Sequence, residues 1–108
     1  MQMMRFLKDT QVAGRFFSRG TEMPMIEAGG SFLVPPNPDF HTTLCVIPAR
    51  NLVRLRLFSV VLINRQVGLR AVQQRWGTDE ADIRSVIEKA APDCVIVALE
   101  LIDEGAVL

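Results

Sequence analysis

The chain has 108 residues, of which 49% are hydrophobic and 22% charged, and its mean hydropathy is +0.23. This length predicts a single domain over 1–108, and the apolar content excludes wholesale disorder. Twelve Lys and Arg balance twelve Asp and Glu, so the net charge by itself identifies no charged partner.

Two short apolar runs open the chain. Residues 3–7 and 11–17 are separated by the polar Lys-Asp-Thr, a pattern that predicts an N-terminal β-hairpin within 1–22, with Gly14 as a bulge or a point of close backbone approach. The next segment, 23–39, holds four prolines and two adjacent glycines. Because proline removes ladder donors and favours an extended path, we expect a long connector there.

The remaining segment, 40–108, predicts the order ββααβ. Strands are expected over 41–47 and 52–63 because both runs are rich in β-branched and other apolar residues. Helices are expected over 65–76, with Gly77 as its cap, and over 79–91, with Thr78 as the N-cap. A final strand is expected over 94–102. The predicted fold class is therefore α+β: a mainly antiparallel or mixed sheet of about five strands with a two-helix layer packed on one face.

The balanced charge conceals an uneven distribution. Residues 40–78 contain six arginines and no acid, a charge of +6, whereas 79–108 contain eight acids against one Arg and one Lys, a charge of −6. Three interpretations remain open: the two blocks pair within one fold, they pair between subunits, or the arginines bind an external anion.

The leading functional hypothesis is a non-enzymatic interaction module that forms a homo-oligomer. The second half of the predicted strand 52–63 is apolar on both faces, as expected of a strand that another subunit covers. The predicted interface residues are Phe58, Val60, Val61, Leu62 and Ile63.

A second hypothesis is binding of an anionic ligand or nucleic acid through guanidinium groups, which suit carboxylate and phosphate equally. Its candidate ligand-binding residues are Arg50, Arg54, Arg56, Arg65 and Arg70.

A third hypothesis is a small enzyme whose site lies under the segment 23–39. The sequence has one histidine, His41, which would act as acid or base together with Asp39 or Glu27. No Cys-x-x-Cys or His-x-x-x-His spacing occurs, so neither a metal site nor a cofactor is predicted.

The cysteine and hydropathy patterns bear on location. Cys45 and Cys94 both lie inside apolar runs, which favours reduced thiols and a cytoplasmic protein. The most apolar stretch, 52–63, has twelve residues and two arginines, whereas a membrane-spanning helix needs about 20 apolar residues. We therefore expect no membrane partner.

Overall fold

The structure, a computed structural model, describes residues 1–35 and 44–103. Those residues form ten β-strands, one α-helix and one turn of 3-10 helix. They divide into two compact units, of which unit 1 comprises Met1–Arg54 and unit 2 comprises 55–103. That 1–108 is a single domain stays a prediction.

Unit 1 is built from seven short strands in its described residues. Five of them form an antiparallel sheet in the order β6-β5-β4-β1-β7, and β2 pairs with β3 in a separate hairpin. The bounds are β1 Gln2–Phe6, β2 Thr10–Val12, β3 Arg15–Phe17, β4 Glu22–Ala28, β5 Ser31–Val34, β6 Cys45–Pro48 and β7 Leu52–Arg54.

The five-stranded sheet must curl. Its two edge strands, β6 and β7, are consecutive in sequence and are joined by the 3-10 turn Ala49–Asn51. A flat sheet of five strands is about 19 Å wide, but the chain from Pro48 to Leu52 spans at most about 14 Å even when extended. The pairing of β4 agrees with this geometry, because its first half pairs with β1 and its second half with β5.

Curling the sheet encloses the core of unit 1. Phe6 and Phe17 stack within it, with ring centroids 4.9 Å apart and an interplanar angle of 7°. The buried members of this core are Met4, Phe6, Phe17, Met25, Phe32, Val34, Cys45, Ile47 and Leu52.

Two predictions for unit 1 are wrong. Strand β1 pairs with β4 and β7 instead of with the run at 11–17, and that run forms its own hairpin around Ala13 and Gly14, both at positive φ. The predicted connector 23–39 is in large part a second hairpin, in which Gly29 and Gly30, again both at positive φ, join β4 to β5. Two such residues in succession are the signature of a tight two-residue turn.

Proline did not prevent strand formation in β4. Pro24 lies opposite Met3 of β1, and the pairing of β4 with β5 begins only at Ile26. On the side of β5, Pro24 therefore has no neighbouring strand within the described residues. Proline lacks a backbone N–H donor, and strands tolerate it at such edge positions.

Unit 2 is a three-stranded antiparallel sheet with one helix on one face. The sheet order is β10-β8-β9, and α1 connects β9 to β10. The bounds are β8 Arg56–Asn64, β9 Arg70–Gly77, α1 Glu80–Ala90 and β10 Cys94–Asp103. The helix-facing core consists of Phe58, Val60, Leu62, Ile83 and Ile87, with Cys94, Ile96 and Leu99 packed against it.

Helix α1 confirms the prediction for 79–91 to within one residue. Its N-cap is Asp79, whose Oδ1 accepts a hydrogen bond of 2.8 Å from the backbone N–H of Asp82. The predicted cap, Thr78, lies one residue too early. The final strand is also confirmed, since β10 begins at Cys94 and extends one residue beyond the predicted end.

The predicted helix 65–76 is wrong. Asn64 Oδ1 accepts hydrogen bonds from the backbone N–H groups of Gln66 and Val67, at 2.9 and 3.2 Å, and Gly68 has a φ of +68°. This side-chain-to-backbone turn competes with helix formation and reverses the chain into β9, which pairs with β8 over its whole length.

The predicted fold class is therefore wrong as well. In the described residues a single α-helix packs on a three-stranded sheet, in place of the predicted two-helix layer on a sheet of about five strands. The predicted strand 52–63 is two strands that belong to different units, with the break at Leu55. Of the predicted strand 41–47, residues 45–47 lie in β6, and 41–43 lie outside the described residues.

Candidate functional site

Of the two candidate ligand-binding arginines in unit 1, Arg50 and Arg54, the second is engaged within the unit. Arg54 Nη2 donates a hydrogen bond of 2.6 Å to Glu27 Oε2, and its guanidinium lies 5.6 Å from the ring centroid of Phe32. Arg54 Nη1 also reaches Gln2 Oε1 at 3.4 Å. The sequence alone does not predict this contact, because Arg54 and Glu27 are far apart in the chain. They come together only when β1 pairs with both β4 and β7.

The predicted catalytic group is only partly described. Glu27 is the ion-pair partner of Arg54 and lies on β4. Asp39 and His41 lie outside the described residues. A catalytic role for His41 with a carboxylate stays a prediction.

Arg56, the next candidate, has a structural contact in unit 2. Its Nε and Nη2 both donate to the backbone carbonyl of Thr78, at 3.3 and 3.0 Å, and its guanidinium lies 5.9 Å from the ring centroid of Phe58. The side chain therefore fixes the link between β9 and α1. The other three candidates, Arg50, Arg65 and Arg70, are exposed.

A depression in unit 2 is lined by two exposed arginines: Arg65, which is one of these candidates, and Arg84, which sequence reasoning missed. Arg65 comes from the turn between β8 and β9, and Arg84 comes from α1. The depression has a volume of about 200 Å³ and is also lined by Ile87, Glu88 and the first residues of β10, starting with Cys94. We call it the arginine depression.

Neither guanidinium of the arginine depression has a hydrogen bond or ion pair with another described residue. Arg84 and Glu88 stand four residues apart on one helix face, the spacing at which an ion pair often forms, yet none joins them. The turn that carries Arg65 is held in place by a hydrogen bond of 2.8 Å from its backbone N–H to the carbonyl of Asp93. The site thus offers two donors with free hydrogen-bonding capacity and one opposing carboxylate.

Two ion pairs, Arg5–Glu22 and Arg54–Glu27, join side chains within unit 1. Arg54 is a member of the basic block, and its partner Glu27 lies outside the acidic block. The three interpretations of the charge blocks, pairing within one fold, pairing between subunits and binding of an external anion, stay predictions.

The predicted interface residues separate onto two faces of β8. Phe58, Val60 and Leu62 are buried against α1 inside unit 2. Val61 and Ile63 point to the opposite face, because successive strand residues alternate, and they are only partly buried. An interface role for these residues stays a prediction, and the second pair is the one that unit 2 leaves accessible.

The two outer strands of the sheet in unit 2 have opposite chemistry. Neither β9 nor β10 pairs with a further strand among the described residues. β9 has a polar centre, with Gln73, Gln74 and Arg75. Four of the ten residues of β10 are large apolar residues that are exposed: Val95, Val97, Leu101 and Ile102.

The register of β10 shows where it is regular. It shifts against β8 between Ile96 and Ala98 and again between Leu101 and Asp103, which leaves 98–101 as an uninterrupted stretch. Within it, Leu99 lies opposite Val60 and faces α1, whereas Ala98 and Glu100 lie opposite Val61 and Ser59 on the other face.

Comparisons with protein-family models, with curated proteins and with solved structures give no match. In the described part of the chain, no three His, Cys, Asp or Glu side chains are grouped as metal ligands would be. Among the described residues there is also no helix of the length and apolar character needed to cross a membrane. The geometry of unit 2 is thus the basis for the function proposed next.

Proposed function

We propose that this chain is a self-associating interaction module whose β10 pairs antiparallel with β10 of a second copy. The observation that carries the proposal is an outer strand of ten residues that has exposed apolar side chains and, among the described residues, pairs on one side only. Such a strand presents a row of free backbone donors and acceptors, which another strand satisfies by extending the sheet. A second copy is the occupant favoured by geometry, because an antiparallel strand pair closes a two-fold dimer.

The contrast with β9 supports the choice of strand. Charged and polar side chains on an outer strand oppose pairing with another chain, and β9 carries them. β10 carries Glu100 and Asp103, but its stretch from Val95 to Leu99 is free of charged side chains. Of the two outer strands, β10 is therefore the one whose side chains permit association.

The pleat selects a register for the dimer. When the two β10 strands pair edge to edge, both helices lie on the same face of the joined sheet. A residue that faces α1 in one copy must therefore lie opposite a residue that faces α1 in the other copy. Pairing centred on Leu99 satisfies this rule and places Ala98 opposite Glu100 of the second copy. It also keeps the two Glu100 carboxylates from lying directly opposite each other, which would be unfavourable.

The regular stretch is short, so the dimer is expected to be weak. Bulges are one of the ways in which native strands limit edge pairing, and in the register centred on Leu99 they leave three residues of regular pairing, 98–100, in each copy. Such an interface falls below the ~1,200 Å² typical of stable complexes. We expect dissociation in the micromolar range, measurable by sedimentation equilibrium or by light scattering after size exclusion.

The test uses charge at two exposed positions of β10. In the register centred on Leu99, the bulge residue Val97, which is 47% exposed, is the neighbour of Leu101 of the second copy, which is 42% exposed. Val97→Lys and Leu101→Lys should each weaken the dimer about tenfold or more, because each places a charge opposite an apolar residue. The double variant Val97→Lys, Leu101→Glu should recover association, since opposite charges then face each other across both symmetric positions.

The matched control is Val72→Lys on β9, a residue that is 67% exposed. It introduces the same charge on the other outer strand and should leave the dissociation constant unchanged. A wild-type chain that stays monomeric at about 100 micromolar overturns the proposal. Equal weakening by the β9 control would show that association does not depend on β10.

The salt dependence of association distinguishes this dimer from one held together by the opposite charge blocks. The acids of β10 carry like charges in both copies, so added salt should leave pairing unchanged or strengthen it slightly. Association through the arginine and acidic blocks would instead weaken as salt increases. A steep loss of dimer between low and high salt would therefore favour the charge-block alternative.

We also propose a cytoplasmic location. Both cysteines are free thiols, with Cys45 buried and Cys94 partly exposed, and free thiols persist in reducing compartments. Alkylation of intact cells with a membrane-permeant maleimide tests this, because Cys94 should be found reduced, whereas an oxidised Cys94 in freshly lysed cells would contradict the proposal.

A further inference from the structure

We infer that the arginine depression is a binding site for one small phosphate group. Arg65 and Arg84 lie in different elements and converge on a cavity of about 200 Å³. Guanidinium groups donate paired, charge-assisted hydrogen bonds to phosphate oxygens. Both groups are free of partners among the described residues, so no intrachain ion pair has to break before an anion binds.

The size of the cavity restricts the ligand. Pockets that enclose a drug-sized molecule typically have volumes of about 300 to 1,000 Å³, and a water molecule occupies about 30 Å³. A cavity of about 200 Å³ therefore holds several waters or one small oxyanion. Inorganic phosphate and the phosphate group of a small monoester fit this volume.

The other lining residues determine how strongly the depression binds an anion. Glu88 lowers the net formal charge of the lining from +2 to +1, which opposes anion binding and keeps it moderate. Ile87 also lines the depression but is 1% exposed, so the charged groups that an oxyanion meets there are the two arginines and Glu88. Removing the charge of Glu88 should therefore strengthen binding, and removing either arginine should weaken it.

Cys94 provides a built-in reporter. It lines the depression and is partly exposed, whereas Cys45 is 0% exposed in the core of unit 1. The rate at which N-ethylmaleimide, an uncharged reagent, alkylates the folded chain therefore reports access to the depression. A Cys94→Ser variant gives the background rate from Cys45.

The experiment measures this rate against increasing inorganic phosphate, with chloride at matched ionic strength as the reference. We expect saturable protection of Cys94 by phosphate and none by chloride. Arg65→Gln and Arg84→Gln should each raise the half-protecting concentration about tenfold, as expected for loss of one charge-assisted contact. Glu88→Gln should lower it severalfold.

Arg70→Gln is the matched control, because Arg70 is exposed on β9 and lies outside the depression. It removes the same charge and should leave protection unchanged. Glycerol phosphate in place of inorganic phosphate distinguishes the two sources of the group: equal protection shows that a monoester is accepted, and weaker protection identifies the free ion as the ligand.

Two results would overturn the inference. One is protection that does not exceed the effect of chloride, and the other is equal loss of protection in Arg70→Gln and Arg65→Gln, which would indicate general electrostatic attraction. Circular dichroism of each variant establishes that it is folded. None of these substitutions touches 97–101, so the phosphate site and the proposed dimer can fail independently.

Discussion

Several arginines of unit 1 are engaged by other side chains of the unit, whereas two arginines of unit 2 are not. In unit 1, Arg5 pairs with Glu22, Arg54 pairs with Glu27, and Arg15 lies 5.1 Å from the ring centroid of Phe17. In unit 2, the guanidinium groups of Arg65 and Arg84 have no hydrogen bond or ion pair with another described residue.

This difference follows from topology. In unit 1 a three-residue turn joins the two edge strands, so the sheet curls and brings residues from distant strands into contact. In unit 2 the two outer strands are joined through the helix, which covers one face of the sheet. Unit 1 therefore has the character of a structural scaffold, and unit 2 carries the groups from which binding and association are proposed.

The largest expected effect concerns the stacked rings of unit 1. Phe6→Ala removes one partner of the Phe6–Phe17 stack and leaves a cavity at a residue that is 1% exposed. We expect a loss of about 3 to 5 kcal/mol in the free energy of unfolding, measured by urea denaturation, with faster hydrogen exchange in β1 and β4. A loss below 1 kcal/mol would show that unit 1 does not depend on this core.

The next effect tests the packing between sheet and helix in unit 2. A Cβ placed on Gly77 would lie 2.6 Å from Ile83 Cδ1, so Gly77→Ala overpacks the core. We expect destabilisation of about 1 to 3 kcal/mol. Combining it with Ile83→Val, which removes the crowded methyl group, should cost less than the two single changes together, and strict additivity in this cycle would contradict the contact.

A smaller effect is expected at the helix cap. Asp79→Ala removes the acceptor of the hydrogen bond from Asp82 N–H, and loss of such a cap costs about 1 kcal/mol. Thr78→Ala serves as the control, because the contacts of Thr78 with Arg56 and Asp82 use its backbone. If the control were the more damaging change, Thr78 would be the functional cap.

The smallest effect concerns the ion pair between Arg54 and Glu27. Arg54 and Glu27 are both 52% exposed at the side chain, and exposed ion pairs contribute between about 0 and 1 kcal/mol. Glu27→Gln should therefore lower stability by less than about 1 kcal/mol at low salt and by still less at high salt. A loss well above this range, measured by thermal unfolding, would mean that the ion pairs of unit 1 are structurally essential.

The parts of the fold that the sequence predicts correctly are those governed by local chemistry. Helix α1 has a capping acid, acids in its first turn and an apolar stripe, and β10 has a continuous β-branched run, so both follow from their own residues. Neither depends on what distant segments do.

The incorrect predictions arise where a short-range signal was ambiguous or a long-range pairing decided the outcome. The apolar spacing of 65–76 fits a helix, but the hydrogen bonds of Asn64 to the next turn and the positive φ of Gly68 redirect the chain into β9. Prolines suggested a connector at 23–39, yet Pro24 fits into β4 because β5 begins to pair only beyond it.

The candidate site was half visible in the sequence. Arg65 belonged to the predicted arginine set, but Arg84 sits in the acidic block and was counted only as a partial offset to its charge. What distinguishes Arg84 is the return of the chain at Asp93, which brings the turn of Arg65 beside the helix, and no local pattern encodes that.

The closing strand of unit 1 sets the order of events on the ribosome. β1 cannot complete its pairing until β7 is made, because Phe6 lies opposite Leu52 and Met4 opposite Arg54. Such distant contacts make folding slow relative to local ones. Among the described residues unit 1 ends with β7, so its sheet can complete its pairing while the strands of unit 2 are still inside the ribosomal tunnel. A nascent chain arrested soon after Arg54 has left the ribosomal tunnel would then already hold a protease-resistant fragment.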